Sequence, residues 1–131
     1  MSSGYTFEAC ENYLAMHITG VYDYWHFIRY PDLIRKQCEQ SGFYRVLVDV
    51  SEVTYKELPT VELFFLGEKV AESLRDKIKI ALVWQGDTHN DFLEVVATNR
   101  AASIRIFEGT EAAREWLLYD HEDEPFNFLK T

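Results

Sequence analysis

Two short runs constrain this chain more than any other feature. Tyr44–Val50 (YRVLVDV) and Ile78–Trp84 (IKIALVW) are nearly continuous in aliphatic and β-branched residues. Half-exposed strands alternate apolar with polar residues, so unbroken runs like these predict strands covered on both faces, as in a parallel sheet. Parallel neighbours need a crossover, usually a helix. The intervening sequence supplies one: beyond Pro59, the residues Leu63, Leu66, Val70 and Leu74 recur at helical spacing. Pro59 suits the start of that helix, where a missing amide proton leaves no bond unmade.

The rest of the chain follows the same alternation. Tyr5 to Gly20 carries two extended stretches around Glu11-Asn12, which predicts a strand pair with a tight turn. Asp23 is placed to cap a helix through Trp25, Phe27 and Ile28. Pro31 opens a new helical segment with Leu33, Ile34 and Cys38 on its apolar face, and Gly42 stops it. Thr88-x-x-Asp91 resembles a capping box before Phe92, Leu93, Val96 and Ala97. Ser103–Phe107 reads as a last strand, and Thr110 caps a last helix with Ala113, Trp116 and Leu117 inward. The order β-β-α-β-α-β-α-β-α predicts an α/β fold, a mainly parallel sheet of about five strands with an antiparallel edge strand. At 131 residues the chain fits one domain, 1–131. Positions 119–131, acidic with Phe126 and Phe128, are expected to be a loosely attached tail.

Composition removes several function classes. A net charge of −9 argues against nucleic acid or anionic membrane as a partner, and Lys and Arg look scattered, with Arg35 and Lys36 the densest pair. Cys10 and Cys38 form no CxxC pair, so no zinc site or redox pair is indicated. No apolar stretch is long enough for a membrane span and no signal peptide is recognisable, which predicts a cytoplasmic protein. GxxxxGK[ST], GxGxxG, GxSxG and HExxH are all absent, and His17, His26, His89 and His121 show no i, i+4 pairing. The Asp87-Thr88-His89-Asn90-Asp91 stretch has metal-donor types, but these residues also cap helices, and capping is the reading adopted. No catalytic residue, metal or cofactor is therefore predicted, and the chain is expected not to be an enzyme.

Fifteen per cent aromatic residues exceed what a small core usually needs, so some rings are expected in a pocket or at an interface. Trp25, Phe27 and Trp84, with Phe64 and Phe65 nearby, are candidates to line an apolar pocket between sheet and helices. Val61–Leu66 is apolar over a wider arc than a one-sided helix requires, which points to an external contact. A symmetric homodimer through this helix, or through the edge strand near Tyr13, would supply it.

Specific positions carry a family resemblance. Ile18-Thr19-Gly20-Val21-Tyr22-Asp23 ends a strand with a glycine and an acidic cap, Val46–Ser51 forms a central strand, and Ala97–Leu117 closes with helix, strand and helix. Together they resemble the STAS superfamily, and within it the stand-alone branch like sporulation stage II protein AA, over about residues 6 to 118. The resemblance implies a regulatory module acting through a protein partner, with contacts in the loop after the central strand. Those positions are Thr54, Tyr55, Lys56, Glu57, Leu58 and Thr60, joined by Phe64 and Phe65 on the helix. Antagonist members carry a phosphorylatable Asp-Ser-Ser/Thr-Gly turn there. This chain has Lys56-Glu57-Leu58-Pro59-Thr60 instead, so phosphate is not expected to switch binding. Branch members also resemble lipid-carrying domains in layout, which implies the alternative of a small carrier or sensor for an apolar, lipid-like ligand.

Overall fold

The computed structural model describes residues 3–56, 58–74, 77–85, 90–100 and 102–119, with the backbone alone at 90–93. In chain order the elements are β1 (Gly4–Ala9), β2 (Leu14–Val21), α1 (Tyr24–Phe27), α2 (Tyr30–Ser41), β3 (Arg45–Thr54), α3 (Thr60–Leu74), β4 (Lys79–Val83), α4 (Asn90–Thr98), β5 (Ser103–Phe107) and α5 (Thr110–Leu118). The strands lie in the sheet in sequence order, β1-β2-β3-β4-β5. Only β1 and β2 pair antiparallel, closed by the Cys10–Tyr13 turn in which the Cys10 amide donates to the Tyr13 carbonyl at 2.9 Å. The remaining neighbours are parallel, as the two apolar runs require.

Every crossover steps the same way along the sheet, so right-handed connections place α2, α3 and α4 on one face. There Leu14, Met16 and Ile18 of β2, Val46 and Val48 of β3 and Ile80 of β4 meet Ile34 and Cys38 of α2 and Leu63, Val70 and Leu74 of α3. The opposite face carries a second, smaller cluster in which Ala113 and Leu117 of α5 cover Leu47, Ala81 and Val83. Two cations from neighbouring strands hold the end of α5. Lys79 Nζ donates to the Trp116 carbonyl at 3.1 Å and Arg45 to the Leu117 carbonyl at 2.9 Å, both suited to the negative end of a helix.

Local chemistry explains the boundaries. The Asp23 carboxylate accepts from the His26 amide at 3.2 Å and starts α1. Pro31 lies in the first turn of α2, and Gly42 ends that helix at φ 86°, a left-handed conformation favourable to glycine, with its amide donating to the Cys38 carbonyl at 2.8 Å. Two boundaries differ from those expected. The register of β2 shifts between His17 and Thr19, after which Glu52, Val53 and Thr54 pair with Thr19, Gly20 and Val21, so β3 outruns Val50. Exposed Ser51 and Glu52 conceal that extension in the sequence. The cap of α5 is Gly109 in extended conformation, and Thr110 is the first helical residue. The expected box at Thr88 and Asp91 and the tail from Asp120 lie outside the described residues or side chains. Among the described residues no helix is long and apolar enough to cross a membrane.

Cys38 is fully buried, and burial, with Glu39 adding, pushes its thiol from an ordinary value near 9 up to about 11. The folded state therefore favours the neutral thiol. That contribution is complete below pH 9 and is lost as pH rises through about 11. At pH 8 an aromatic disulfide reagent is expected to modify Cys10 in the native protein, and Cys38 only at the rate of unfolding. Rapid native labelling of both thiols would contradict the packing of α2.

Candidate functional site

Parallel α/β sheets present their loops at the carboxyl ends of the strands, and the segment after β3 lies there. Its base is fixed to β2: the Tyr22 amide donates to the Thr54 carbonyl at 2.8 Å, and Thr54 Oγ1 donates to the Gly20 carbonyl at 3.3 Å. Tyr55 turns inward and meets Trp84 edge to face at a ring separation of 6.3 Å. Leu58 packs on the main core, while Lys56 is exposed and Glu57 lies outside the described residues. Pro59 then accepts from the Glu62 and Leu63 amides at 2.9 and 3.1 Å, which makes Thr60 the first, exposed residue of α3.

Beneath this loop is a cavity of about 110 Å³. Tyr55, Leu58, Phe27 and Trp84 line its loop end, Val48, Ile80 and Leu82 its sheet side, and Ile34, Leu63 and Val70 its helical side. Tyr22 is also in the wall, and its hydroxyl donates to Glu62 Oε1 at 2.8 Å. Burial first, and then the Glu62 carboxylate, hold that phenol protonated well above its usual range. With its hydroxyl committed to Glu62, the apolar lining gives water little to bond, so the cavity is expected to be dry.

The residues expected at an interface divide sharply. Phe65 is 45% exposed and Val61, one helical turn earlier, is 57% exposed, so the two form an i, i+4 apolar stripe on the outer side of α3. Phe64 instead lies half-buried, with the Arg100 guanidinium 5.4 Å from its ring centre and Glu68 paired to Arg100 at 3.2 Å. Of the rings expected in a pocket, Phe27 and Trp84 line the cavity, whereas Phe64 and Phe65 do not. Trp25 also lies elsewhere, 73% exposed, because the four-residue α1 has no buried residue and the Trp25 ring meets only the edge of Tyr24 among described rings. The residues expected at the interface omit Val61, although the apolar run expected to make an external contact begins with it; its spacing from Phe65 is the signal that singles it out.

Among the described residues no three His, Cys, Asp or Glu side chains converge as a metal site would need. Asp87 and His89, and the side chain of Asp91, lie outside them. His17 lies between Asp49 and Glu52, at 3.6 and 3.7 Å, on the sheet face away from the cavity.

No family model and no curated protein matches the sequence. Solved structures do. An anti-sigma factor antagonist from Mycobacterium paratuberculosis superposes with a TM-score of 0.60 at 13% identity, covering 88% of this chain and 94% of that one. An uncharacterised protein of the DUF3478 family from Shewanella loihica, with a SpoIIAA-like fold, gives 0.54 at 18% identity over the same shares. The fold is SpoIIAA-like. In SpoIIAA-like terms the 54–60 loop follows the central strand, and the exposed Val61–Phe65 stripe continues from it.

Proposed function

We propose that this SpoIIAA-like chain is a non-enzymatic cytoplasmic regulatory module that docks protein on the 54–60 loop and the outer side of α3. The observation that carries the reading is the Val61–Phe65 stripe, two exposed apolar side chains one turn apart directly beyond the loop. Apolar groups grouped on a polar rim mark contact sites more than scattered ones do. The anti-sigma factor antagonist among the structural neighbours supports a protein as the occupant. A second copy is the simplest one, since two such stripes packed antiparallel meet self-complementarily about a two-fold axis. With Leu58 and Pro59 in the turn, docking here is controlled by something other than phosphate on a loop serine.

Phe65→Glu with Val61→Glu tests this without touching the half-buried Phe64. A central hot spot is worth about 2 kcal/mol or more, so the dimer dissociation constant is expected to rise at least about 30-fold in sedimentation equilibrium. Recovery of partner protein from the native host should fall alongside. An unchanged assembly state together with unchanged recovery would remove this surface.

The apolar cavity favours a second reading, a sensor for a small apolar ligand. At about 110 Å³ it is smaller than the roughly 300 Å³ at which drug-sized sites begin. A lipid chain would therefore require the 54–60 loop to move, whereas a guest smaller than benzene would not.

A further inference from the structure

The chain is strongly acidic overall, yet it gathers cations in one place. A cleft of about 570 Å³ opens between the first residues of β1 and the start of α2, and Arg29, Arg35 and Lys36 line it beside His26. The sequence conceals the grouping because Arg29 is separated from Arg35 and Lys36 by mostly apolar positions. On the helix, however, Arg29, Leu33 and Lys36 fall at i, i+4 and i+7, one stripe of alternating cation, apolar group and cation.

Of the cations in this cleft, Arg29 and Lys36 are uncompensated among the described residues. Asp32 is its one carboxylate among the described lining residues, and it is committed to α3: Ser73 Oγ donates to it at 2.7 Å and Lys69 Nζ pairs with it at 3.2 Å. The Ser73 hydrogen bond, and then Lys69, hold the Asp32 carboxyl below its usual range. His26 faces Asp23 at 2.5 Å. Arg35 shares Asp32 at 3.4 Å and Glu39 at 3.9 Å, exposed contacts that hold a guanidinium weakly. Neither Arg29 nor Lys36 has an ion-pair partner among the described residues. Apolar surface faces these cations: the Tyr5 and Tyr30 rings meet edge to face at 5.5 Å beside Leu33, and the Tyr30 hydroxyl shares a hydrogen bond with Ser3 Oγ.

We propose that this cleft is a binding site for a small organic anion, whose carboxylate or phosphate group is held by Arg29 and Lys36 and whose apolar or aromatic body lies on Leu33, Tyr5 and Tyr30. The guanidinium offers a planar fork for two anionic oxygens, and Lys36 adds a compact charge about two helical turns on. The volume suits a small molecule. In a protein of net charge −9, anions are repelled elsewhere, so this local reversal directs them here.

The test is a titration of the full ¹⁵N-labelled chain with phenyl phosphate, benzoate and the neutral benzyl alcohol, followed by amide shifts. Both anions are expected to give saturable shifts at residues 3–5 and 26–36, and benzyl alcohol none there. Arg29→Gln with Lys36→Gln, both exposed positions, should weaken the anions at least tenfold, and raising salt to about 0.5 M should do the same. The proposal fails if neither anion saturates, if benzyl alcohol shifts the same amides, or if the double variant binds unchanged. Shifts confined to cavity amides such as Val48 and Ile80 would likewise overturn it. The cleft shares no residue with the 54–60 loop or the Val61–Phe65 stripe, so its failure would leave the docking surface standing.

Discussion

Leu117→Ala is expected to cost about 3 to 5 kcal/mol of stability, the upper part of the range for a buried leucine. Leu117 is fully buried, and its buried neighbours in that cluster are Leu47, Ala81, Val83 and Ala113, with Tyr13, Phe107 and Trp116 partly buried against them. Two of those neighbours are alanines, which cannot swing into the space a truncated leucine leaves. α5 is the one described helix on that face, so loosening it exposes the sides of β3 and β4 that Tyr13 and Phe107 do not cover. Urea denaturation should show the midpoint falling by more than about 1 M with the slope unchanged. Amide exchange should show α5 losing protection first, since Arg45 and Lys79 hold only its final carbonyls. A midpoint within about 0.3 M of the parent would mean that α5 is not needed to close this face.

The contrast between the two faces explains what was legible in the sequence. Tyr44–Val50 and Ile78–Trp84 announced central parallel strands because both of their faces are buried, and burial on both sides leaves an unbroken apolar signature. Helical spacing gave α3 for the same reason, with Leu63, Leu66, Val70 and Leu74 all buried. Signals weakened where an element leaves the covered region. The last part of β3 carries exposed Ser51 and Glu52, so its continuation depends on backbone pairing with β2, which no side-chain pattern records. The candidate site was read unevenly for a related reason. Apolar character marks a ring as wanting a partner but not which one: Trp84 finds the cavity, Phe64 lies under Arg100, and Trp25 stays in solvent on a helix too short to reach the core. The cation cleft was invisible for another reason, because it joins the start of β1 to α2, elements distant in sequence whose charges are interleaved with apolar residues.

The cavity makes the other large prediction. Trp84 is 9% exposed, lines the cavity, and bears on Tyr55 in the loop above it. Trp84→Ala is expected to cost about 3 to 5 kcal/mol, since it removes a large buried ring and enlarges a space that is already empty. The loop should loosen with it, because Tyr55 loses its edge-to-face contact, and amides from 54 to 58 should exchange faster than those of α5. Indole restores the missing ring without the backbone bond. At a concentration about 100 times its dissociation constant it should return roughly 2.7 kcal/mol to the variant, seen as a rise in melting temperature. The parent protein should not respond, because its cavity of about 110 Å³ is smaller than the roughly 150 Å³ that admits one benzene. Rescue would establish that the space is dry and apolar and that filling it tightens the 54–58 loop, the property a ligand sensor at this position requires. Destabilisation without rescue would mean that the walls collapse onto the vacated volume, and the sensor reading would fall while the α3 docking surface remained.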